Sequence, residues 1–404
     1  MVMKHRIFLC LALLVTLLAG TLPGCSRPPT ALPNDAYIWQ RQWTPGLVSA
    51  VQSNTDIVSQ WRVLAAQADA NGQWLSTTPD WATLATSGRP VITVFRIDGQ
   101  LANMDEQALS ARIADTLETW RGSGVTLAGI EIDHDCATAR LPGYAHWLGT
   151  VRGLLKNQER LSITALPTWL NSAALDGLLA QVDEAVLQVH AVQNPRVGLF
   201  DPQLARTWLD QFGARMHKPW RAALPAYGSR VAWDQDGRVV SIESERATLV
   251  AGMESHELMA DPQALQHFAR ELRSNPPTGL AGIVWFRLPT EQDTRAWSPA
   301  TWRAVLTQAP ISAQISAQLL STADPQLFDL VVSNTGVGDG PPASIIRVTG
   351  NCMAADGING YFMERTASGV SFQTRQPGLL RPGRQRSIGW LRCEQAKESL
   401  HVDS

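Results

Sequence analysis

Short apolar runs alternate with longer amphipathic stretches through most of this chain. Eight runs between residues 35 and 310 read as strands: Ala36–Arg41, Trp61–Ala66, Val91–Ile97, Leu127–Asp133, Leu161–Pro167, Ala185–Val192, Arg221–Tyr227 and Gly282–Leu288. Runs this continuously apolar suit strands buried on both faces of a parallel sheet. Between them, Leu109–Trp120, Tyr144–Leu155, Pro202–Met216 and Pro262–Leu272 repeat apolar residues at helical spacing. A last helix opens at Ser298-Pro299, a capping residue followed by proline in the first turn. Eight strand–helix units in succession predict an α/β fold, a (β/α)8 TIM-type barrel over 35–310. An open doubly wound sheet is the alternative, but no Gly-rich nucleotide loop follows the first strand.

The pattern changes at Ile311. Gln318–Leu320, Phe328–Ser333, Ser344–Thr349, Gly360–Glu364, Ser371–Thr374 and Ser387–Leu391 read as short strands. Turns at Asn334-Thr335-Gly336 and Asp339-Gly340-Pro341-Pro342 separate them. A small all-β sandwich over 311–404 is expected.

The N-terminus carries a different signal. Lys4, His5 and Arg6 precede an uncharged run from Ile7 to Ala19, too short to span a bilayer comfortably but suited to a signal-peptide core. Leu22-Pro23-Gly24-Cys25 follows and resembles a lipobox. That resemblance implies a lipoprotein signal over 1–24 and a lipid on Cys25 as the membrane attachment. An ordinary signal peptide and an uncleaved anchor are the alternatives. Ser26 fits an outer-membrane destination, and the polar, Pro-rich residues 25–34 read as a tether.

Composition sharpens the picture in three places. A net charge of -2 gives no footprint for nucleic acid. Fifteen Trp suit either core packing or a sugar-binding cleft. Of the cysteines beyond Cys25, Cys352 and Cys393 lie in one segment and are expected to pair in an oxidising compartment, leaving Cys136 as a buried or a reactive thiol.

Candidate chemistry concentrates at the end of the fourth strand, in Gly129-Ile130-Glu131-Ile132-Asp133-His134-Asp135. Side chains alternate along a strand, so Glu131, Asp133 and Asp135 share one face, successive members roughly 6–7 Å apart. Three carboxyls on one face need partners, shared protons or solvent. At the C-terminal mouth of a barrel they are placed for catalysis; a structural network is the alternative.

This stretch resembles the fourth-strand motif of glycoside hydrolase family 18, the chitinase-like enzymes, which reads Asp-Gly-x-Asp-x-Asp-x-Glu. Ala128 stands at the first Asp, Glu131 at the second, Asp133 at the third and Asp135 at the catalytic Glu. The likeness continues through Tyr144–Leu155, Leu161–Ala165, Val182-Asp183, Leu224–Gly228 and Gly282–Trp285. It implies that Asp135 protonates the leaving oxygen, while Asp133 orients and stabilises a substrate acetamido group, an exception to the two-carboxylate rule. His190 stands where the family has its substrate-orienting Tyr, and is expected either as an acid, a base or a hydrogen-bond donor near neutral pH or as a satisfied core histidine. The family's strand-eight Trp is matched by Trp285 or Phe286. The chain also resembles an uncharacterised family of bacterial lipoproteins built on this barrel.

Further binding candidates are Gln188, on the face of His190, Tyr227 on the seventh strand, and Trp169 after the fifth. Trp39 with Arg41 on the first strand, Arg96 and Asp98 ending the third, and Arg287 beside Trp285 complete the set. Arg in a carboxylate-lined mouth is expected to neutralise the acids. There is no HExxH, zinc-spaced Cys pair or P-loop, and nothing in the spacing of Glu131, Asp133, Asp135 and His190 singles out a metal, so neither metal nor cofactor is expected. Three readings remain. The first is a glycosidase acting on a β-linked envelope or environmental glycan. The second is a non-catalytic binder of glycan or protein on a retired scaffold. The third is an envelope structural protein working through its C-terminal sandwich. Oligomeric state is not fixed by the sequence.

Overall fold

A computed structural model describes residues 32–101, 104–190, 198–233, 239–243, 254–374, 378–394 and 401–403. The expected signal, Cys25 and most of the expected tether lie outside the described residues.

Eight parallel strands close on themselves: β1 (Asn34–Ile38), β2 (Gln60–Ala68), β3 (Val91–Ile97), β4 (Leu127–His134), β5 (Arg160–Ala165), β6 (Glu184–Gln188), β7 (Trp220–Pro225) and β8 (Leu280–Phe286). Each pairs with its sequence neighbours, and β1 pairs with both β2 and β8, which seals the barrel. All eight expected strands are found, because helices cover their outer face and side chains fill their inner one.

The helices are α1 (Pro45–Gln52), α2 (Trp81–Thr86), α3 (Glu106–Arg121), α4 (Leu141–Arg152), α5 (Leu175–Ala180), α6 (Pro202–Arg215), α7 (Pro262–Ser274) and α8 (Pro299–Thr307), one after each strand. Six open on a side-chain cap, supplied by Thr44, Asp80, Asp105, Asp201, Asp261 and Ser298. Each cap satisfies backbone N–H groups that the first turn leaves unpaired. The layer between helices and strands takes up most of the large aromatics. Trp61, Trp120, Trp147, Trp169, Trp220, Trp285, Trp297 and Trp302 are all enclosed there, so the high Trp content is chiefly core packing.

Two excursions were not legible as strand, and the first, Trp74–Ser76, pairs antiparallel with β2. Between β7 and α7, Gly228–Trp233 pairs antiparallel with Val239–Glu243 and Glu254–Met259 in a small sheet.

The C-terminal residues form β9 (Ile315–Ser321), β10 (Leu327–Asn334), β11 (Ile345–Thr349), β12 (Cys352–Gly357), β13 (Phe362–Thr366), β14 (Gly369–Gln373), β15 (Gln385–Cys393) and β16 (His401–Asp403). They make two four-stranded antiparallel sheets, β9-β10-β15-β12 and β13-β14-β11-β16. Both contribute to one core, with Phe328, Leu330, Val332 and Leu391 from the first against Ile346, Val348, Val370 and Phe372 from the second. Gly389 lets the Phe372 ring lie against the backbone; a Cβ there would sit 2.2 Å from the ring. Cys352 and Cys393 are register partners on β12 and β15 and form a disulfide. The Asp and Gly in β12, an edge strand, hid it from pattern reading.

Candidate active site

Inward-facing residues fill the barrel in layers. The lowest layer is ionic. The Arg62 guanidinium pairs with Glu131 and Glu184 and lies 3.4 Å from Asp35, and Arg221 reaches Glu184 at 3.0 Å and Asp35 at 3.3 Å. Burial works against the charge on Arg62, but Glu184, Glu131 and Asp35 outweigh it and hold it protonated. Burial likewise raises Glu184, yet Arg62 and Arg221 prevail and bring its carboxyl down to about 2. At Asp35 burial wins over both arginines, and the carboxyl is raised. A middle layer of Leu64, Val94, Val186, Ala223 and Val284 separates this network from the mouth, with the Tyr37 ring beside them.

The acids of β4 divide between these layers. Glu131 has no solvent contact; it accepts from Tyr37 Oη at 2.5 Å and Thr164 Oγ1 at 3.0 Å as well as from Arg62. It therefore belongs to the buried network rather than to the mouth. Asp133, one rung higher, is enclosed, and Asp135 is 35% exposed. Arg96 on β3 is the register partner of Asp133, so the two side chains leave the sheet on one face. The Arg96 fork bridges the pair, Nη1 to Asp133 and Nη2 to Asp135, each at 3.2 Å. Burial first, then the neighbouring charge of Asp135, raises the Asp133 carboxyl to about 7 against the pull of Arg96. The Thr164 hydroxyl also hydrogen-bonds Asp133, linking it to Glu131. Gly99 sets Asp135 in place from the loop after β3. Its α-carbon packs so closely that a Cβ would lie 2.0 Å from the Asp135 carbonyl oxygen.

Across the mouth stands an aromatic cluster centred on Phe286. Trp39, Tyr37, His190 and Tyr227 surround its ring with centroids 5.1 to 5.6 Å away. Arg96 lies 5.9 Å from the centre of the Trp39 ring. Gln188 donates to the His190 carbonyl at 2.8 Å. Tyr227 Oη lies 3.4 Å from His190 Nδ1, and Ser229 also hydrogen-bonds the phenol. Burial raises Tyr227 to about 12, so the phenol keeps its proton. His190 Nε2 is buried without a partner among the described residues.

A family model described as "Domain of unknown function (DUF3142)" matches residues 87–291, running from just before β3 to just past β8. The chain belongs to the DUF3142 family. A second model, "Domain of unknown function (DUF8456)", matches 317–394 in the sandwich. No curated protein matches the chain. Among solved structures it is similar to the Bacillus cereus spore cortex-lytic enzyme SleL, with 16% identity over 70% of this chain and 76% of that one and a TM-score of 0.50. It is also similar to a Chromobacterium violaceum chitinase, at 14% identity over 69% and 98% of the two chains with a TM-score of 0.49. The Bacillus megaterium SleL gives 13% identity over 70% and 76%, and a TM-score of 0.49. The likeness to the Bacillus cereus protein shows a common fold.

Within this DUF3142 barrel several sequence expectations need correction. Trp285 points outward, its indole enclosed beside Trp297 and donating to Asn34 Oδ1 at 3.0 Å; Phe286 faces the mouth instead. The reason is strand parity, since Gly282, Val284 and Phe286 share the inner face. Trp169 is also enclosed, its indole N–H held by the Cys136 carbonyl at 3.0 Å, so it offers no stacking face. His190 is no acid or base near neutral pH, because burial pushes its imidazole down to about 3. Arg41 reaches Gln67 at 2.7 Å, and Arg287 pairs with Asp293 at 2.8 Å. Cys136 is a buried thiol raised to about 11 by desolvation, and so unreactive. No cluster of metal-ligating side chains occurs among the described residues. Asp35, Arg62, Glu184 and Arg221 escaped sequence reading. Their signal was a lone charge inside an apolar run, as in Gln60-Trp61-Arg62-Val63-Leu64.

Proposed function

We propose that this chain is an exported lipoprotein, anchored through Cys25 at the periplasmic face of the outer membrane, whose barrel hydrolyses a β-linked envelope glycan. The observation that carries the enzymatic reading is the unequal pair Asp133 and Asp135. One carboxyl is enclosed and raised to about 7; the other, one rung higher, opens to solvent. Two neighbouring carboxyls in different environments are the usual basis for dividing acid–base roles. The proton that reaches the leaving glycosidic oxygen as the C–O bond breaks is the one held on Asp133, delivered through Asp135. Asp133, left ionised, stabilises the group that meets the positive anomeric carbon, which in the family 18 resemblance is the substrate's own acetamido oxygen, and water then opens that intermediate and returns the proton. Trp39 and Phe286 supply an apolar floor for a pyranose ring, and His190, taken as the tautomer protonated on Nε2, supplies a neutral donor. The N-terminal basic residues, apolar run and Leu-Pro-Gly-Cys sequence support export and lipidation.

A second reading, binding without turnover, is favoured by one feature. Arg96 occupies both carboxylates at once and must release Asp135 for catalysis. Calorimetric titration of the soluble form, beginning after Cys25, with β-linked oligosaccharides tests the shared claim that sugars dock here. Binding that weakens about tenfold or more in Trp39→Ala supports the site. Unchanged binding in that variant would move the ligand elsewhere.

A further inference from the structure

The sandwich grips the loop that builds one wall of the mouth. From the turn between β14 and β15, Arg381 spreads its fork over four carbonyls of the β8–α8 loop. It donates to Ala296 at 2.7 Å, Trp297 at 3.0 Å, Glu291 at 3.2 Å and Thr290 at 3.5 Å. Beside it Asp339 closes the same grip. Its carboxylate accepts the Ser298 N–H at 2.8 Å, at the start of α8, and its own N–H donates to Thr301 Oγ1 at 2.7 Å. A carboxylate at a helix N-terminus is favourable, and a planar guanidinium is suited to holding several carbonyls in one geometry.

The gripped residues run alongside the wall. Ala296 bridges Tyr227, Gly228 N–H donates to the Arg295 carbonyl at 2.7 Å, and Trp297 N–H donates to Ala226 at 3.3 Å. Ala226 N–H in turn donates to the Phe286 carbonyl at 2.6 Å. The Tyr227 ring meets both His190 and Phe286. Every step from Arg381 to the mouth is therefore a hydrogen bond or a ring contact.

We infer that Arg381 is a positioning residue for the barrel mouth, holding the Tyr227–His190 wall in register through the β8–α8 loop. The sandwich then serves the barrel's site. The consequence for sugar binding rests on the proposed function; the mechanical coupling does not.

Hydrogen exchange followed by mass spectrometry on the full soluble chain tests it, comparing wild type with Arg381→Ala and Arg381→Lys. Exchange about tenfold faster at residues 226–228 and 295–297, with β3 and β4 unchanged, is the expected result for Arg381→Ala. Arg381→Lys, which keeps the charge but loses the fork, falls between, and gives the same readout should the alanine variant fail to fold. Loosening confined to the sandwich, with residues 226–228 unaltered in either variant, would overturn the inference and leave Arg381 as a link between domains. If the exchange result holds but no sugar binds wild type, the coupling stands and the glycan reading fails.

Discussion

Arg62 and Glu131 form an ion pair inside the barrel, and neither side chain has any solvent contact. Taking both charges out of water costs several kcal/mol each, which is recovered only while every partner stays in place. Arg62→Met takes the cation from the buried Glu131 and leaves Glu184 to Arg221. It should lower unfolding stability by about 3–5 kcal/mol. Urea denaturation measures this directly, and a loss under about 1 kcal/mol would mean that the network is not energetically coupled.

Asp133 makes a prediction with a definite sign. Its folded value of about 7 lies above the unfolded value of roughly 3.9. Between those limits the folded state holds the extra proton, so this group makes stability fall as pH rises from about 4 to about 7. Asp133→Asn should remove that slope, gaining stability over wild type at pH 8 and little at pH 4. Glu184, lowered to about 2, acts oppositely: its contribution is complete above the unfolded carboxyl range and is lost as pH falls toward 2. Melting curves of Asp133→Asn and wild type across pH separate the two.

Gly99 is required by proximity rather than by backbone angle. A methyl group there collides with the Asp135 carbonyl, which is backbone and cannot swing aside. Gly99→Ala should cost about 1–3 kcal/mol of stability. By displacing Asp135 it should also reduce kcat about a hundredfold. Kinetics at saturating substrate together with thermal melts check both, and full activity would show that the acid's placement does not depend on this contact.

His190 should remain neutral throughout the physiological range. Its folded value of about 3 lies below the unfolded 6.5, so the unfolded chain binds the extra proton between them. Its contribution to stability is thus lost as pH falls through that window. Imidazole resonances followed by NMR should show no titration of His190 between about pH 4 and pH 8. A midpoint near 6.5 would restore it as a proton carrier.

Much of the barrel was legible because its strands are buried on both sides and read as unbroken apolar runs. The acids on β4 stood out for the same reason, as charges where apolar residues were expected. Pairing was not legible. Asp35, Arg62, Glu184 and Arg221 come from four strands and meet only once the sheet closes. Parity also escaped at β8, where one residue decides whether Trp285 or Phe286 faces the mouth. The neutral state of His190 depends on burial beneath Phe286 and Tyr227, which no local pattern encodes.

The central claim is that the β4 acids cleave a glycan. Its most direct test is product release from a panel of β-linked glycans and chromogenic β-glycosides by the soluble form, beside Asp135→Asn. Wild type should hydrolyse at least one member, with the rate falling as pH rises through about 7, and Asp135→Asn should lose about a hundredfold or more while remaining folded. Sugars that bind without turnover in wild type, or turnover that survives in Asp135→Asn, would contradict the account.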